Sequence, residues 1–255
     1  MLATPTLQNQ SINPIQSSFS KAKLTYDQHS PVQQSVGKEL IKLIDQSYFN
    51  NIIDIGCGTG LITTHLYQYR IFNAFEALDF SQDFLEVAQS RNLKNNIIYH
   101  CADFDSYFYQ HQNTYDLIFA NMSLQWSNDF PFLLTQLYQS LNMDGHLAFT
   151  IPLRGTFKEL SNDYHINQFH DLNAVISMLN RKGFSIKHAF EKRYTLSFNS
   201  PIERLKSIKN TGACHFQGTR KLIDKSIFQQ LRQSSKTNNQ SYSLTYNTGL
   251  FYAKK

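Results

Sequence analysis

Long apolar runs and closely spaced cysteines are both missing from this sequence of 255 residues. No stretch approaches the roughly 20 apolar residues of a membrane-spanning helix, so we expect no association with a membrane. The three cysteines, Cys57, Cys101 and Cys214, lie far apart, without the close pairs of a zinc site or a disulfide framework. We therefore expect no metal site and a cytoplasmic location.

The N-terminal residues also lack the marks of a secretory signal peptide. Residues 1–18 are polar and rich in Gln, Asn, Ser and Pro, with neither a basic start nor an apolar run. We interpret them as a disordered tail. Residues 19–255 are expected to form one domain, since a hydrophobic fraction of 41% is enough for a core.

Charge is unevenly distributed along the chain. The net charge is +5, but residues 181–236 contain 13 Lys/Arg and 3 Asp/Glu, so the rest of the chain is acidic. A basic segment of this kind favours an acidic partner. A solvated basic surface without a partner is the alternative.

Short apolar runs alternate with amphipathic stretches up to residue 151, which is typical of a parallel sheet with crossover helices. The pattern predicts strands at 52–55, 74–78, 97–99, 117–120 and 147–151. Two further strands are expected at 185–198 and about 242–253. A small helical lid, at about 200–235, is expected between these last two.

A glycine-rich loop follows the first predicted strand and reads Asp54-Ile55-Gly56-Cys57-Gly58-Thr59-Gly60. Its glycines let the backbone approach a ligand closely. Asp79 ends the second strand, 19 residues after Gly60, where an acid can accept hydrogen bonds from ribose hydroxyls. A nicotinamide dehydrogenase would use similar groups, but its pattern is Gly-x-Gly-x-x-Gly. Here Gly-x-Gly-x-Gly follows Asp54, and the carboxylate of Asp54 can pair with the cationic amino group of a ligand's amino-acid end.

The loop resembles motif I of the class I S-adenosylmethionine-dependent methyltransferases. The resemblance implies an α/β, Rossmann-like fold with a seven-stranded, mostly parallel sheet, helices on both faces and an antiparallel last strand. It also implies S-adenosylmethionine as the methyl donor. The cofactor-binding residues that it implies are Asp54, Gly56, Gly58 and Gly60 in the loop, Asp79 at the ribose, Phe80 beside the adenine, Asp103 at the adenine amino group, Phe104 and Asn121. For Asp103, a cap at the end of a strand is the alternative.

The residues after the fourth predicted strand bear on the substrate. They read Met122-Ser123-Leu124-Gln125-Trp126, not the Pro-Pro-aromatic run of enzymes that methylate amino groups of DNA bases. Nucleic acid is therefore a poor candidate. Trp126, the single tryptophan, fits either the wall of the site or the core.

Several segments together resemble one family more closely, the malonyl-[acyl-carrier protein] O-methyltransferases of biotin synthesis. The similar segments are Phe19-Ser20-Lys21-Ala22 with Tyr26-Asp27 and Gln33, Ser123 to Trp126, Leu205 to Ala213 with His215, and Leu244-Thr245-Tyr246. The chain departs from the family at Pro152 to Gly155, Asn210 and Cys214. The resemblance implies methylation of the free carboxylate of a malonyl thioester carried on acyl carrier protein.

This chemistry needs alignment more than it needs a base, because a carboxylate is already ionised at neutral pH. A cation should orient the oxygen that does not react. The candidates for the catalytic site are Lys209 and Lys206 on the lid, Arg154 after the fifth strand, His215, Tyr26 closing over the cofactor, and Trp126. A methyltransferase for another small carboxylate or a carbon acid, and a non-enzymatic binding protein with the same fold, remain as alternatives.

Overall fold

The computed structural model of the chain describes residues 25–94, 96–161, 167–211 and 241–255. The expected tail, at 1–18, and most of the expected lid lie outside these residues. The strands are β1 Tyr48–Ile55, β2 Ile71–Asp79, β3 Ile98–Cys101, β4 Tyr115–Asn121, β5 Leu141–Pro152, β6 Ser185–Phe198 and β7 Tyr242–Lys254. The helices are α1 Tyr26–His29, α2 Pro31–Leu43, α3 Leu61–Tyr69, α4 Gln82–Arg91, α5 Phe104–Gln110, α6 Phe130–Gln139, α7 Leu172–Lys182 and α8 Pro201–Asn210.

The strands form one sheet in the order β3-β2-β1-β4-β5-β7-β6. Strands β1 to β5 pair in parallel, whereas β7 runs antiparallel to both β5 and β6. The predicted fold class, including the antiparallel last strand, is confirmed. The chain order reverses beside β1, where β1 pairs with both β2 and β4, and ligands of open α/β sheets bind at such a point.

Strands β1 to β5 are all longer than the apolar pattern predicts, and β1 and β5 are extended most at their N-terminal ends. Strand β1 begins at Tyr48 instead of Ile52, because it pairs with β2 from Tyr48 onward. The carboxylate of Asp116 also accepts hydrogen bonds from the backbone N–H groups of Asn50 and Asn51, at 2.8 and 2.9 Å. Strand β5 begins at Leu141 and continues through Asp144, whose φ of 63° is left-handed. Strand pairing and an irregular strand extend β1 and β5 beyond their hydrophobic centres.

Helices cover both faces of the sheet. On one face, Leu133 of α6 and Val175 of α7 join the largest cluster of buried side chains. On the other, Leu40 of α2 and Leu66 of α3 pack against β1 and β4. The core is therefore divided between two layers by the sheet.

Side-chain caps mark the starts of α7 and α8. Asp171 accepts a hydrogen bond from the N–H of Ala174 at 2.8 Å, and Ser200 accepts one from Glu203 at 3.1 Å. Helix α8 is the described part of the expected lid. It packs through Leu205 and Ile208, both fully buried, into a cluster with α2 and β7. Each such side chain contributes about 1.5–3 kcal/mol by burial, so α8 is firmly docked at this edge.

None of the described helices is long and apolar enough to cross a membrane.

Candidate functional site

A cavity opens where β1, β2 and β4 end, at the reversal of strand order. We call it the inner cavity. Its lining residues are Tyr26, Gly56, Gly58, Asp79, Phe80, Phe84, Asp103, Phe104, Asn121, Met122, Ser123 and Trp126. Nine of the residues predicted for the cofactor or the reaction are thus brought together here: Tyr26, Gly56, Gly58, Asp79, Phe80, Asp103, Phe104, Asn121 and Trp126.

The glycines of the loop have different structural roles. All of Gly56, Gly58 and Gly60 have positive φ angles. A Cβ at Gly58 would meet only Phe84, at 3.9 Å, so this residue turns its open side to the cavity. A Cβ at Gly60 would lie 2.8 Å from Cβ of Ala88, so Gly60 lets α4 pack against the loop. Gly60 is not among the residues that line the inner cavity.

Asp79 joins the end of β2 to the glycine loop. Its carboxylate accepts hydrogen bonds from the N–H of Gly58 and the N–H of Ser81, both at 2.9 Å. Burial raises the pKa of Asp79 to about 6, although these backbone donors oppose the shift. The result is a fixed acceptor facing the cavity.

Asp54 lies deeper than Asp79 and is only 2% exposed. One of its oxygens accepts a hydrogen bond from Oγ1 of Thr63 at 2.7 Å. Burial raises the pKa of Asp54 to about 7, and the nearby Asp79 adds to the rise. Asp54 helps to line a smaller cavity beneath α1, which shares Tyr26, Gly56, Gly58 and Asn121 with the inner cavity.

Asp103 is a cap at the end of a strand, the alternative considered for it above, and it also lines the inner cavity. It begins α5 as the N-cap, where Oδ1 accepts a hydrogen bond from the N–H of Asp105 at 2.8 Å. The side chain is otherwise exposed at the cavity beside the half-buried Phe104 and Phe80. One carboxylate oxygen is therefore committed to the helix, and the position remains suited to a ligand.

Asn121 lines the inner cavity, but its amide also holds the protein together. Its Nδ2 donates to the carbonyl of Gln33 at 3.0 Å, and its Oδ1 accepts from Oγ1 of Thr150 at 2.8 Å. Asn121 thereby ties α2 to the ends of β4 and β5. The following residue, Met122, has a φ of 54°, a strained conformation for a residue with a side chain.

Tyr26 is held over the glycine loop by α1. Its ring packs edge-on against Phe84, with the centroids 5.2 Å apart. Burial and the carboxylates of Asp79 and Asp27 raise the pKa of its hydroxyl well above the usual value. Tyr26 therefore stays protonated at neutral pH, and its hydroxyl is able to donate a hydrogen bond.

A second cavity adjoins the first, and we call it the middle cavity. Its lining residues are Tyr26, Gln33, Met122, Gln125, Trp126, Pro152, Thr156, Phe157, Asn167, Phe169, Thr211 and Tyr246. Tyr26, Met122 and Trp126 line both cavities. Trp126, at the end of a short 3₁₀-helix, is half-buried and forms the wall of the site rather than the core.

The predicted cations Arg154, Lys206 and Lys209 are not among the described residues that line these cavities. The side chain of Arg154 is 75% exposed and lies 3.5 Å from the carboxylate of Asp171. Lys209 and Lys206 are exposed on α8. Thr211, the residue that follows the C-terminal end of α8, lines the middle cavity. His215 lies outside the described residues.

Several lining residues were missed as site residues from the sequence. Gln33 and Tyr246 belong to the segments that resemble the family, and that signal marked them without giving a role. Phe157 carries no sequence signal; its φ of 59° is visible only in the structure. Phe84 reads as an ordinary apolar residue of α4.

Comparison with known proteins agrees with this arrangement. Residues 53–149 match the family described as a methyltransferase domain. An N-methyltransferase of Bradyrhizobium japonicum, solved with S-adenosyl-L-homocysteine, has the same fold, with a TM-score of 0.60 and 14% identity over 95% of this chain and 99% of that chain.

Two curated relatives are closer in sequence. A malonyl-[acyl-carrier protein] O-methyltransferase of Bacillus anthracis is 30% identical, over 78% of this chain and 80% of the relative. Malonyl-[acyl-carrier protein] O-methyltransferase 2 of Coxiella burnetii is 36% identical, over 94% of this chain and 95% of the relative. The chain therefore belongs to the malonyl-[acyl-carrier protein] O-methyltransferases, a family of S-adenosylmethionine-dependent enzymes.

Proposed function

We propose that this enzyme transfers a methyl group from S-adenosylmethionine to the free carboxylate of a malonyl thioester on acyl carrier protein. The malonyl methyl ester then primes pimeloyl synthesis for biotin. The observation that carries the proposal is the pair of adjoining cavities. One is built for the cofactor, and the other meets it at Tyr26, Met122 and Trp126.

The residues of the inner cavity fit S-adenosylmethionine. Gly58 has no side chain and leaves open space beside the loop, so the cofactor can approach the backbone there. Asp79 offers a fixed acceptor for ribose hydroxyls. Phe80 and Phe104 supply apolar surface for the adenine, with Asp103 at its amino group. Asp54 faces the methionine end through the smaller cavity beneath α1. When bound, the cofactor supplies an electrophilic methyl group on a sulfonium.

The protein contributes to the reaction by positioning the two reactants and by excluding water from them. A malonyl carboxylate is ionised near neutral pH, so it can attack the methyl group without a general base. Tyr26, Met122 and Trp126 define the passage between the cavities, where the two reactants meet. Alignment of this kind contributes more than any proton transfer to such a displacement.

Two tyrosines are the best-placed donors for the carboxylate. Tyr26 and Tyr246 both line the middle cavity, and burial raises the pKa of both hydroxyls well above the usual value. Protonated phenols can donate hydrogen bonds to the oxygen that does not react, and bonds to an ionised acceptor are strong. No Lys or Arg is among the described residues lining this cavity. We therefore assign this role to Tyr26 and Tyr246 ahead of the exposed Lys209 and Arg154, and keep His215 as a candidate.

The basic segment supports an acidic carrier protein as the partner. Lys187, Arg193 and Lys206 are exposed on β6 and α8. Lys192 is instead paired with Glu39, at 2.5 Å, and Arg204 packs over the ring of Tyr242. Lys221 and Lys225, also in the segment, lie outside the described residues. The exposed cations offer a docking face for a negatively charged carrier.

The chemical nature of the product tests this proposal. Incubation with methyl-labelled S-adenosylmethionine and malonyl-carrier should give a labelled carrier whose label is released as methanol by mild base, as expected of a carboxylate ester. Label that resists base would indicate methylation at carbon or nitrogen and would contradict the proposal.

A further inference from the structure

A third recess continues outward from the middle cavity, and we call it the outer groove. Its lining residues are Gln125, Ser127, Asn128, Asp129, Phe130, Pro131, Ile151, Pro152, Asn167, Gln168, Phe169 and His170. Four of them also line the middle cavity: Gln125, Pro152, Asn167 and Phe169. The outer groove shares no described lining residue with the inner cavity. The middle cavity therefore lies between the cofactor cavity and the groove.

We propose that the outer groove binds the pantetheine arm that bears the malonyl thioester. This inference rests on the proposed function and adds a binding site to it. With the carboxylate at the inner end of the middle cavity, the thioester sulfur points away from the cofactor, toward Gln125 and Pro152. The arm beyond the sulfur is a neutral chain containing two secondary amides, and it follows the groove to the surface.

The groove has the chemistry that such a chain requires. Side-chain amides of Gln125, Asn128, Asn167 and Gln168 can donate to and accept from the amides of the arm. Phe169 and Pro152 supply apolar contacts for its methylene groups. Asp129 is the only Lys, Arg, Asp or Glu among the described lining residues, so the groove does not select for a charged chain.

One acceptor in the shared wall has no hydrogen-bond partner in the described part of the chain. Nε2 of Gln125 donates to the carbonyl of Met122 at 2.7 Å, which fixes the orientation of the amide. Its Oε1 is buried and makes no hydrogen bond with the described residues. A buried acceptor without a partner costs free energy, and an N–H of the arm would satisfy it.

The wall of the groove is held in place by a residue behind it. The carboxylate of Asp105 accepts hydrogen bonds from Oγ of Ser127 at 2.7 Å and from the N–H of Asn128 at 2.9 Å. Elsewhere in the lining, the ring of His170 stacks on Phe130, with the centroids 5.8 Å apart. The groove is thus formed before any ligand binds, which lowers the cost of ordering a flexible chain.

Arg154 lies at the rim of this groove. Its N–H donates to the carbonyl of His170 at 2.9 Å, and its exposed side chain lies 3.5 Å from the carboxylate of Asp171, with which a phosphate would compete. A cation there is suited to the phosphate at the end of the arm, outside the neutral groove. The position gives Arg154 a role in binding the carrier's arm instead of the malonyl carboxylate.

Two soluble substrates that differ only in the length of the arm test the inference. Malonyl-pantetheine retains both amides, whereas malonyl-N-acetylcysteamine retains one. Wild-type enzyme should show a kcat/KM about three- to tenfold higher for malonyl-pantetheine, the effect of one or two net hydrogen bonds. Asn128→Trp and Gln168→Trp, which narrow the groove, should lower kcat/KM for malonyl-pantetheine more than for malonyl-N-acetylcysteamine and so remove this preference. Gln110→Trp is the matched control, because Gln110 is exposed at the C-terminal end of α5 and does not line the groove.

The outcomes separate this inference from the proposed function. Methylation of both thioesters at equal kcat/KM by the wild type would overturn the groove assignment and leave the function intact. The groove assignment would also be overturned if the groove variants lowered kcat/KM for both thioesters equally while binding the cofactor normally. Methylation of neither thioester, nor of malonyl-carrier, would overturn the function together with the groove. Gln168→Ala, which removes an amide without adding bulk, should reduce the preference even if a tryptophan variant fails to fold.

Discussion

The side chain of Thr59 donates a hydrogen bond to the carboxylate of Asp27 at 2.5 Å, across 32 residues of sequence. The other carboxylate oxygen of Asp27 accepts from the guanidinium of Arg91, and Nε of Arg91 donates to the carbonyl of Thr59 at 3.1 Å. These contacts fasten α1 to the glycine loop and to the end of α4. Tyr26 is the neighbour of Asp27, so the same contacts hold Tyr26 over the inner cavity.

Loosening this contact should speed the release of cofactor. Arg91→Leu removes the ion pair and the bond to Thr59, and we expect S-adenosylhomocysteine to dissociate about three- to tenfold faster, as for one net hydrogen bond in a half-buried pair. Stopped-flow displacement measures the rate. Arg181→Leu, an exposed arginine that bonds Ser177 within α7, is the control. Equal rates in the two variants would mean that α1 does not retain the cofactor.

Substitutions in the inner cavity should weaken cofactor binding selectively. Gly58→Val places a side chain into the open face of the loop and should abolish binding. Asp79→Ala should weaken the free energy of cofactor binding by about 1.5–3 kcal/mol, because charge-assisted hydrogen bonds are lost. Calorimetry with S-adenosylhomocysteine measures both.

Gly183→Ala is the matched control for these variants. Gly183 has a φ of 96° at the end of α7, so an alanine there is strained without touching the cavity. It should lower the melting temperature and leave cofactor affinity unchanged. An unchanged affinity in Gly58→Val would remove the loop from the site.

Cofactor affinity should depend on pH through Asp54 and Asp79. Their pKa values, about 7 and about 6 in the free protein, lie above the ordinary 3.8 because both are buried. A cationic ligand that donates hydrogen bonds favours the ionised forms, so affinity should rise roughly tenfold between pH 5.5 and 7. Asp54→Asn should make the dependence shallower, because only Asp79 then titrates. A steeper dependence in Asp54→Asn, or none in the wild type, would contradict the assignment.

The same shifts determine how the stability of the free protein depends on pH. A raised carboxyl pKa in the folded state contributes stability that is fully present below the unfolded value, here 3.8, and is lost as the pH rises through about 6 to 7. Asp54→Asn should therefore reduce the fall in melting temperature over this range. Turnover at saturating cofactor should stay flat between about pH 6 and 8, because the malonyl carboxylate is already ionised.

Tyr246 should act on the malonyl substrate and not on the cofactor. Tyr246→Phe removes one donor from the middle cavity, and we expect kcat/KM for malonyl thioesters to fall about tenfold or more. The affinity for S-adenosylhomocysteine should be unchanged. Tyr109→Phe, whose ring is on the surface, is the control. A loss of cofactor affinity equal to the loss of kcat/KM would instead indicate a structural role.

The exposed cations of β6 and α8 should affect the carrier substrate alone. Arg193→Glu with Lys206→Glu should raise the Michaelis constant for malonyl-carrier and make it less sensitive to salt, because such charges mainly accelerate association. Malonyl-N-acetylcysteamine should be unaffected. Lys42→Glu, on an exposed residue at the end of α2, is the control. An unchanged Michaelis constant in the double variant would leave these cations as a solvated surface.

The sequence is most informative where backbone requirements determine the residue type. Positive φ angles demand glycine at Gly58, and the end of β2 requires an acceptor at Asp79, so the cofactor cavity could be predicted. The bounds of β6, Ser185–Phe198, also agree with the apolar pattern.

The substrate side could not be predicted in this way. Its residues depend on which side chains at a helix turn inward, and at α8 this is Thr211, just after the helix, and not Lys209. A lysine is chemically suited to a carboxylate, but its sequence position does not fix its direction. Tyr246 was recognisable only from a family resemblance, because β7 brings it beside Tyr26 from more than 200 residues away.

The most direct measurement of the central claim is transfer of labelled methyl to four thioesters side by side: malonyl-carrier, succinyl-carrier, acetyl-carrier and malonyl-coenzyme A. The account predicts label on both malonyl thioesters, much less on succinyl-carrier and none on acetyl-carrier, which has no free carboxylate. Label on acetyl-carrier, or its absence from malonyl-carrier in a protein that binds S-adenosylhomocysteine, would contradict it.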